Sequence, residues 1–402
     1  MNNQSESSAR TMRRRRKVLS GFAASLVLVA GMAACGSSKK STTPTTTAAT
    51  TATTTGSTTA TTAPTASGLA QAQALVSKYE PEPTSITDAA KAAGPVPKGL
   101  TIDFVPCGAN PECQQEGQIV KQADDILGWK TNILSNDGSP QQSKAAFDTV
   151  VSQKAAGVLF TAIPLATFQS DVAALQANGT VVSACCETDP TGTGIDYNID
   201  APDQSAPVGQ AQAAIVASDS KCTNAGSVIV NIPDFAILAD GVKSFKSNLD
   251  QYCPGATVDE LDIALANLGT APATEASFMR AHPNDHYIVM ATDGTSVGLP
   301  AALQAAGLSN SVKLVGQGAT PTNVQYLQAG QELADTTFDY YDNMWAMLTA
   351  VIEKKVNGSV TPAVAPPLWI LTKDNAPTGV TNAFPVVKDY QKQYEALWGI
   401  SG

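Results

Sequence analysis

The sequence predicts an α/β protein built from two Rossmann-like lobes, each a parallel sheet covered by helices on both faces. Three observations predict it. Short apolar runs recur that are continuous rather than alternating, as strands buried on both faces require. Between them lie longer segments with apolar residues at helical spacing. The whole series then repeats in the second half of the 402-residue chain.

In the first series, residues 100–106 form an apolar strand. Residues 114–128 follow with Ile119, Ala123, Ile126 and Leu127 on one helical face. Residues 130–134 read as a strand. Ser139 and Pro140 then open a helix as N-cap and first helical residue, Phe147, Val150 and Val151 mark its buried face, and Gly157 is expected to end it. Residues 157–163 are a continuous apolar strand. A helix carrying Phe168, Val172 and Leu175 stops at Gly179, and residues 180–185 are the next strand. The second series has a strand at 227–232, a helix with Val242, Phe245 and Leu249, and strands at 258–263 and 287–292. A helix near 299–306, a strand at 312–315, an extended stretch at 332–338, a helix at 343–356 and a late strand at 367–371 complete it. Ligands of such sheets bind outside the carboxyl ends of the strands, so the loops that follow the strands are where a site belongs.

Upstream, residues 1–34 read as a lipoprotein signal peptide. A basic block runs from Arg13 to Lys17, an uncharged apolar stretch follows, and Met32-Ala33-Ala34 lead into Cys35. The stretch is short for a membrane span. Residues 36–67 are almost wholly Thr, Ala, Ser, Pro and Gly, a tether that has nothing to bury; residues 69–93 are expected to add one or two short helices before the lobes. Residues 1–34 hold six basic groups and one acidic group; without them 19 basic stand against 34 acidic residues, a net charge near −15. A polyanion of that kind repels nucleic acid, which is excluded as a partner.

Setting Cys35 aside leaves Cys107, Cys113, Cys185, Cys186, Cys222 and Cys253, an even number in an exported chain where disulfides persist. Three pairs suit the spacing: Cys107 with Cys113, Cys222 with Cys253, and Cys185 with Cys186 as a vicinal ring. Two reduced cysteines, or exchange among the six, remain open at 185–186. No C-x-x-C occurs, and His282 and His286 are the sole histidines, in a stretch that reads as a loop, so neither a metal nor another cofactor is expected. Gly294-Thr295-Ser296-Val297-Gly298 fits the G-x-S-x-G elbow of hydrolases, but that fold needs a histidine downstream of the serine and none follows. Gly316-Gln317-Gly318 lacks the third glycine of a dinucleotide fingerprint. The reading is of a protein that is not an enzyme.

The order of these segments resembles the type I periplasmic binding proteins, in particular the ribose-binding, sugar-transporter group. Asn110-Pro111 follows the first strand as in the family's Asn-Pro-Phe-Phe loop. Gly157-Val158-Leu159 resembles its third strand, running into Ile163-Pro164. Ala281-His282-Pro283, followed by a strand and Thr292-Asp293-Gly294, resembles its His-Pro…Asn-Asp segment, and Gly316 with Thr320-Pro321 its Gly-Phe-Asp-Gly-Thr-Pro segment. The resemblance implies lobes joined by a three-segment hinge, with crossings near Asp200, Asp339 and Pro367. It divides the chain into a lead-in over 35–97, a first lobe of 98–199 and 340–366, and a second of 200–339 and 367–402. It also implies an ABC-transporter permease as partner and a monomer; separately, Met32-Ala33-Ala34-Cys35 resembles a bacterial lipoprotein lipobox, with Met32 where that family usually has Leu, which implies a diacylated Cys35, an extracytoplasmic position at the outer face of the cell membrane and membrane contact only through the lipid.

The family's sugar-gripping residues are largely replaced. Its Asp-Arg pair falls on Cys185-Cys186, its second-lobe Arg near 238–241 where no Arg stands, its aromatic clamps on Glu112 and Cys113, and its hinge Gln on Asp339. Asn110 and Asp293 are kept. The expected ligand-binding set is therefore Asn110, Glu112, Cys185, Cys186, Phe235, Asp293, Gln317 and Asp339, around a small sugar-like or less polar molecule. The alternative is a lipoprotein that presents its ligand to a membrane signalling receptor.

Overall fold

The computed structural model describes residues 64–87 and 89–400. The signal segment, Cys35 and most of the Thr-rich tether lie outside the described residues. The chain enters through helix α1 (Pro64–Tyr79) and then builds the first lobe: β1 (Thr101–Val105), α2 (Pro111–Leu127), β2 (Lys130–Ile133), α3 (Pro140–Gln153), β3 (Gly157–Thr161), α4 (Leu165–Phe168), α5 (Val172–Asn178), β4 (Val181–Cys185) and β5 (Tyr197–Ile199). These strands form one parallel sheet in the order β2-β1-β3-β4-β5. The middle strands β3 and β4 are buried along their whole length, which is why they read as unbroken apolar runs. Ser139 caps α3 by accepting from the Gln142 N–H at 3.3 Å, and Gly179 ends α5 at φ 68°. The end of α3 departs from expectation: Lys154 takes the left-handed cap conformation at φ 53°, and Gly157 already belongs to β3. A side chain at Gly157 would meet Val351 at 2.9 Å, so close packing rather than capping fixes that glycine.

The second lobe comprises α6 (Pro202–Ser220), β6 (Ser227–Asn231), α7 (Leu238–Tyr252), β7 (Val258–Asp262), α8 (Ala271–Ala281), β8 (Tyr287–Met290), α9 (Leu299–Ala306), β9 (Lys313–Gly318), α10 (Pro321–Ala329) and β10 (Ala334–Thr337). The chain then returns to the first lobe as α11 (Tyr340–Asn357), adds β11 (Ile370–Thr372) to the second, and ends with α12 (Tyr390–Trp398). The second sheet runs β11-β10-β9-β8-β6-β7, with β11 antiparallel to β10, an edge that the all-parallel expectation did not include. The two series thus give two parallel-sheet lobes, as the sequence predicts.

Helices α6, α8, α10 and α12 and strand β5 are additional to the elements read from the sequence, and in α6 the periodic signal is absent. Helix α6 shows the reason: Ala211, Ala213, Ala214, Ile215, Val216 and Ala217 are all buried, so no polar stripe interrupts them. Helix α12 also corrects the division of the chain. Residues 367–402 are expected in the second lobe, yet Tyr394 and Trp398 are buried in the first-lobe core beside α2 and α11. Trp398 stacks on Trp345, ring centroids 5.0 Å apart, and its indole N–H donates to Thr349 Oγ1 at 2.9 Å.

The chain passes between lobes at Asp200, at Phe338–Asp339, and between Gly358 and Ile370. Two further crossings flank these. At the start, α1 packs on α6 and α7 of the second lobe, whereas the Thr87 N–H donates to the Asp342 carboxylate and the Ala90 N–H to Glu353 Oε1 at 2.7 Å, both on α11. At the end, Val386 packs with β11 and α10, and α12 lies in the first lobe. The structure joins Cys107 to Cys113, Cys185 to Cys186, and Cys222 to Cys253.

Candidate functional site: the cleft between the lobes

The carboxyl ends of both sheets converge on one cavity of about 130 Å³. From the first lobe, the loop after β1 supplies Asn110, the first turns of α2 supply Glu112, Cys113 and Glu116, the end of β3 supplies Thr161 and the turn after β4 supplies Cys186. From the second, Ile232 and Phe235 follow β6, Leu265 and Leu268 follow β7, and Thr292 and Gly294 flank Asp293 after β8. Gln317 is the penultimate residue of β9, and Phe338 and Tyr340 border the crossing into α11. The lobes touch at the mouth, where Leu265 Cδ2 lies 3.4 Å from the point a Cβ on Gly138 would occupy. Ala162, Cys186, Asp200 and Ala319 all turn out of strand ends with φ between 50° and 65°. Such backbone, unfavourable for residues with a side chain, collects at binding sites where the surrounding fold holds it in place.

Of the expected ligand-binding residues, Asn110, Glu112, Cys186, Phe235 and Gln317 line this cavity. Cys185 lies one residue behind, fully buried as the last residue of β4. Asp293 is turned into its own lobe, where Oδ1 accepts from the Gln317 N–H at 2.9 Å and Oδ2 from the Thr320 N–H at 3.0 Å. It shapes the cavity floor by fixing the β9 turn. Asp339 is buried as the N-cap of α11, accepting from the Asp342 N–H at 3.0 Å.

Glu116, Thr161, Asp200, Leu265 and Leu268 were not singled out as ligand contacts from the sequence. Glu116 carried a signal, since it falls four residues after Glu112 and so on the same face of α2. Its Oε2 accepts from Thr161 Oγ1 at 2.7 Å, and burial pushes the carboxyl up to about 8. Burial pushes Asp200 up to about 7. Neither Lys, Arg nor His lines the cavity among the described residues.

Two clusters have metal-like composition. In the first, Cys185 and Cys186 are joined as a disulfide beside Asp200 and offer no thiolate. In the second, Asp293, Glu332 and Asp335 meet under β9, and Glu332 Oε1 and Asp335 Oδ2 crowd the place of a missing Cβ on Gly316. Burial holds both of those carboxyls well above the usual range, which disfavours the charged forms that a metal ion needs as ligands. Ser296 of the hydrolase-like stretch is fully buried, its single Oγ–H within hydrogen-bond reach of the Asp293 carbonyl at 2.9 Å and of Asn323 Oδ1 at 3.0 Å. A hydroxyl so engaged faces no substrate. His282 stacks on Phe278, with centroids 3.8 Å apart.

Two open-sheet lobes joined by several crossings, with a cavity between the carboxyl edges of their sheets, define a bilobal solute-receptor architecture. The sequence places the chain in a family accordingly: residues 104–357 match the model described as the periplasmic binding protein domain, and the chain belongs to that family. Solved structures share the fold. An ABC sugar transporter subunit from Rhodobacter sphaeroides superposes with a TM-score of 0.60 at 17% identity, covering 69% of this chain and 99% of that one. A solute-binding protein from Agrobacterium vitis with bound allitol gives 0.60 at 17% identity, covering 69% and 97%. One from Burkholderia graminis in complex with D-arabinose gives 0.60 at 16%, covering 71% and 99%. No curated protein matches the chain in sequence. Among the described residues no helix is long and apolar enough to cross a membrane.

Proposed function

We propose that the protein is an extracytoplasmic solute receptor that captures a small molecule in the cleft and delivers it to an ABC permease. The observation that carries this reading is the single cavity bordered at once by Asn110 and Glu112 of one lobe and Phe235 and Gln317 of the other. A molecule in that space contacts both lobes, so it stabilises the closed arrangement over the open one, and no bond need be made or broken. The crossings at Asp200, Phe338–Asp339 and 358–369 are the segments about which the lobes move. The cavity suits a molecule the size of a sugar, a polyol or a less polar metabolite, and the solved neighbours bound to allitol and D-arabinose support that size class.

In the same reading, Cys35 carries a lipid at the outer face of the cell membrane, and the Thr-rich segment lets a monomeric receptor reach a permease in that membrane. The test is a thermal-shift screen of the full-length protein against sugars, polyols, amino acids, polyamines and aromatic acids. A ligand at 100 times its dissociation constant stabilises the fold by about 2.7 kcal/mol. One chemical class should raise Tm sharply; a folded protein that responds to none of them refutes small-molecule capture in this cleft.

A further inference from the structure

The walls of the cavity differ in what they leave unpaired. Several donors are spent: Asn110 Nδ2 donates to Glu112 Oε2 at 2.8 Å, Thr161 Oγ1 to Glu116, and Gln212 Nε2 to the carbonyls of Met290 and Gly316. The Gln317 N–H is held by Asp293. The acceptors are not spent. Asn110 Oδ1 is buried without a hydrogen-bond partner among the described residues. Asp200 is 7% exposed and lines the cavity, yet its only hydrogen bond among the described residues is made by its backbone N–H, to Gln204 Oε1. The remainder of the wall is apolar, with Phe235, Leu265, Leu268 and Phe338 prominent.

We propose that the cleft selects a ligand carrying a protonated amine, accepted by the first-lobe carboxylates Asp200, Glu116 and Glu112, on a body that packs against Phe235, Leu265 and Leu268. The inference rests on the reading of the cleft as a capture site and narrows it. An ammonium group is all donor and no acceptor, and its charge is the complement of a wall that carries three carboxyl groups and neither Lys, Arg nor His among the described residues. Opposite charge also offsets the desolvation of the carboxylates, which a neutral ligand leaves uncompensated.

The groups that face this position all have one sign or none. Glu112 and Glu116 come from α2, Asp200 from the β5–α6 crossing, and Asp293 and Asp335 lie behind the floor of the second lobe. Tyr340 stands at the start of α11 and stays a neutral phenol, its ionisation opposed by burial and by those carboxylates. With Glu116 pushed up to about 8 and Asp200 up to about 7, both carry much of their proton in the empty cleft at neutral pH. An ammonium ligand therefore displaces protons, and its affinity rises with pH.

The experiment is isothermal titration of the full-length protein with primary ammonium ions graded from ethylammonium to 2-phenylethylammonium, each beside its matching alcohol, at pH 6, 7 and 8. At least one ammonium ion is expected to bind tenfold or more tightly than its alcohol, with an advantage that grows by up to about tenfold per pH unit below the carboxyl pKa values. Asp200→Asn should erase most of that advantage; asparagine tolerates the φ of 53° that this position requires. Alcohols or polyols that bind as tightly as the ammonium ions, in wild type and variant alike, overturn the amine selectivity and leave solute capture standing. Failure of every ammonium ion, while a sugar or polyol raises Tm in the screen above, does the same. A folded protein that binds neither kind overturns both readings.

Discussion

The return of α12 to the first lobe gives the most direct test of how the molecule is held together. Trp398 is 1% exposed, stacks on Trp345, and donates from its indole to Thr349. Truncating it to alanine removes roughly 150–250 Å² of buried aromatic surface. At about 25 cal/mol per Å² that corresponds to about 4–6 kcal/mol of lost transfer free energy. Measured Trp→Ala changes in cores cost about 3–5 kcal/mol, and a figure near 4 kcal/mol is expected here. Thr349 does not become an orphan, because its hydroxyl also donates to the Trp345 carbonyl at 2.8 Å, so no large polar penalty adds to the sum. Urea unfolding followed by circular dichroism reads the change as a lower midpoint at unchanged slope. Trp398→Phe, which keeps most of the stack, should cost less than half as much. Ligand affinity measured well below the transition should be unaltered, since no residue of α12 lines the cleft. A loss under about 1 kcal/mol for Trp398→Ala would mean that the C-terminal helix is peripheral to the first-lobe core, against the packing described above.

Three further outcomes follow from the same structure. Glu116, Glu187 and Asp339 are pushed up to about 8, Asp200 to about 7 and Asp293 to about 6, each chiefly by burial. Groups raised in this way contribute stability in full below their ordinary range near pH 4, and lose it as pH rises through 6 to 8. The Tm of the unliganded protein should therefore fall from pH 5 to pH 8, and Glu116→Gln should flatten that fall; a Tm that climbs over this interval contradicts the burial of these groups. Replacing Cys222 and Cys253 by serine opens a loop with sequence separation 31 and should cost about 3–4 kcal/mol on the chain-entropy account, read by urea midpoint against the oxidised parent. Gly209 lets α6 and α7 approach, since a Cβ there would sit 2.1 Å from the Gly241 carbonyl oxygen. Gly209→Ala should lower stability by about 1–3 kcal/mol despite alanine's better helix propensity, and a neutral result would show that the two helices separate freely.

The fold was legible where burial leaves a pattern in the chain. Strands such as β3 and β4 announce themselves as continuous apolar runs because helices cover both faces of the sheet. Ser139 and Gly179 mark helix ends through their caps. Helix α6 was illegible for the opposite reason: residues 211–217 are buried all round, and an alanine-rich run has no stripe to detect. Strand β5 spans only Tyr197–Ile199, too short to carry a period, and with it Asp200 was placed as a crossing but not as a cleft residue. For the cleft, the sequence located strand ends but not the direction of side chains. Asp293 stands at a carboxyl end as its position suggests, yet its oxygens are taken by two backbone N–H groups of its own lobe. Leu265 and Leu268 come from a 3-10 turn after β7, and nothing local in the chain sets them apart from ordinary loop leucines.

The order in which these pieces appear has a consequence for synthesis. The first sheet is complete when Ile199 leaves the ribosome, but the helices that close one of its faces end at Asn357 and Trp398. At about 5–20 residues per second, the interval before Trp398 emerges is roughly 10–40 s. During that time β3 and β4 have no permanent cover on that side, and α1 waits equally for α6 and α7. A nascent chain so arranged completes its first lobe only after the strands and helices of its second have been made.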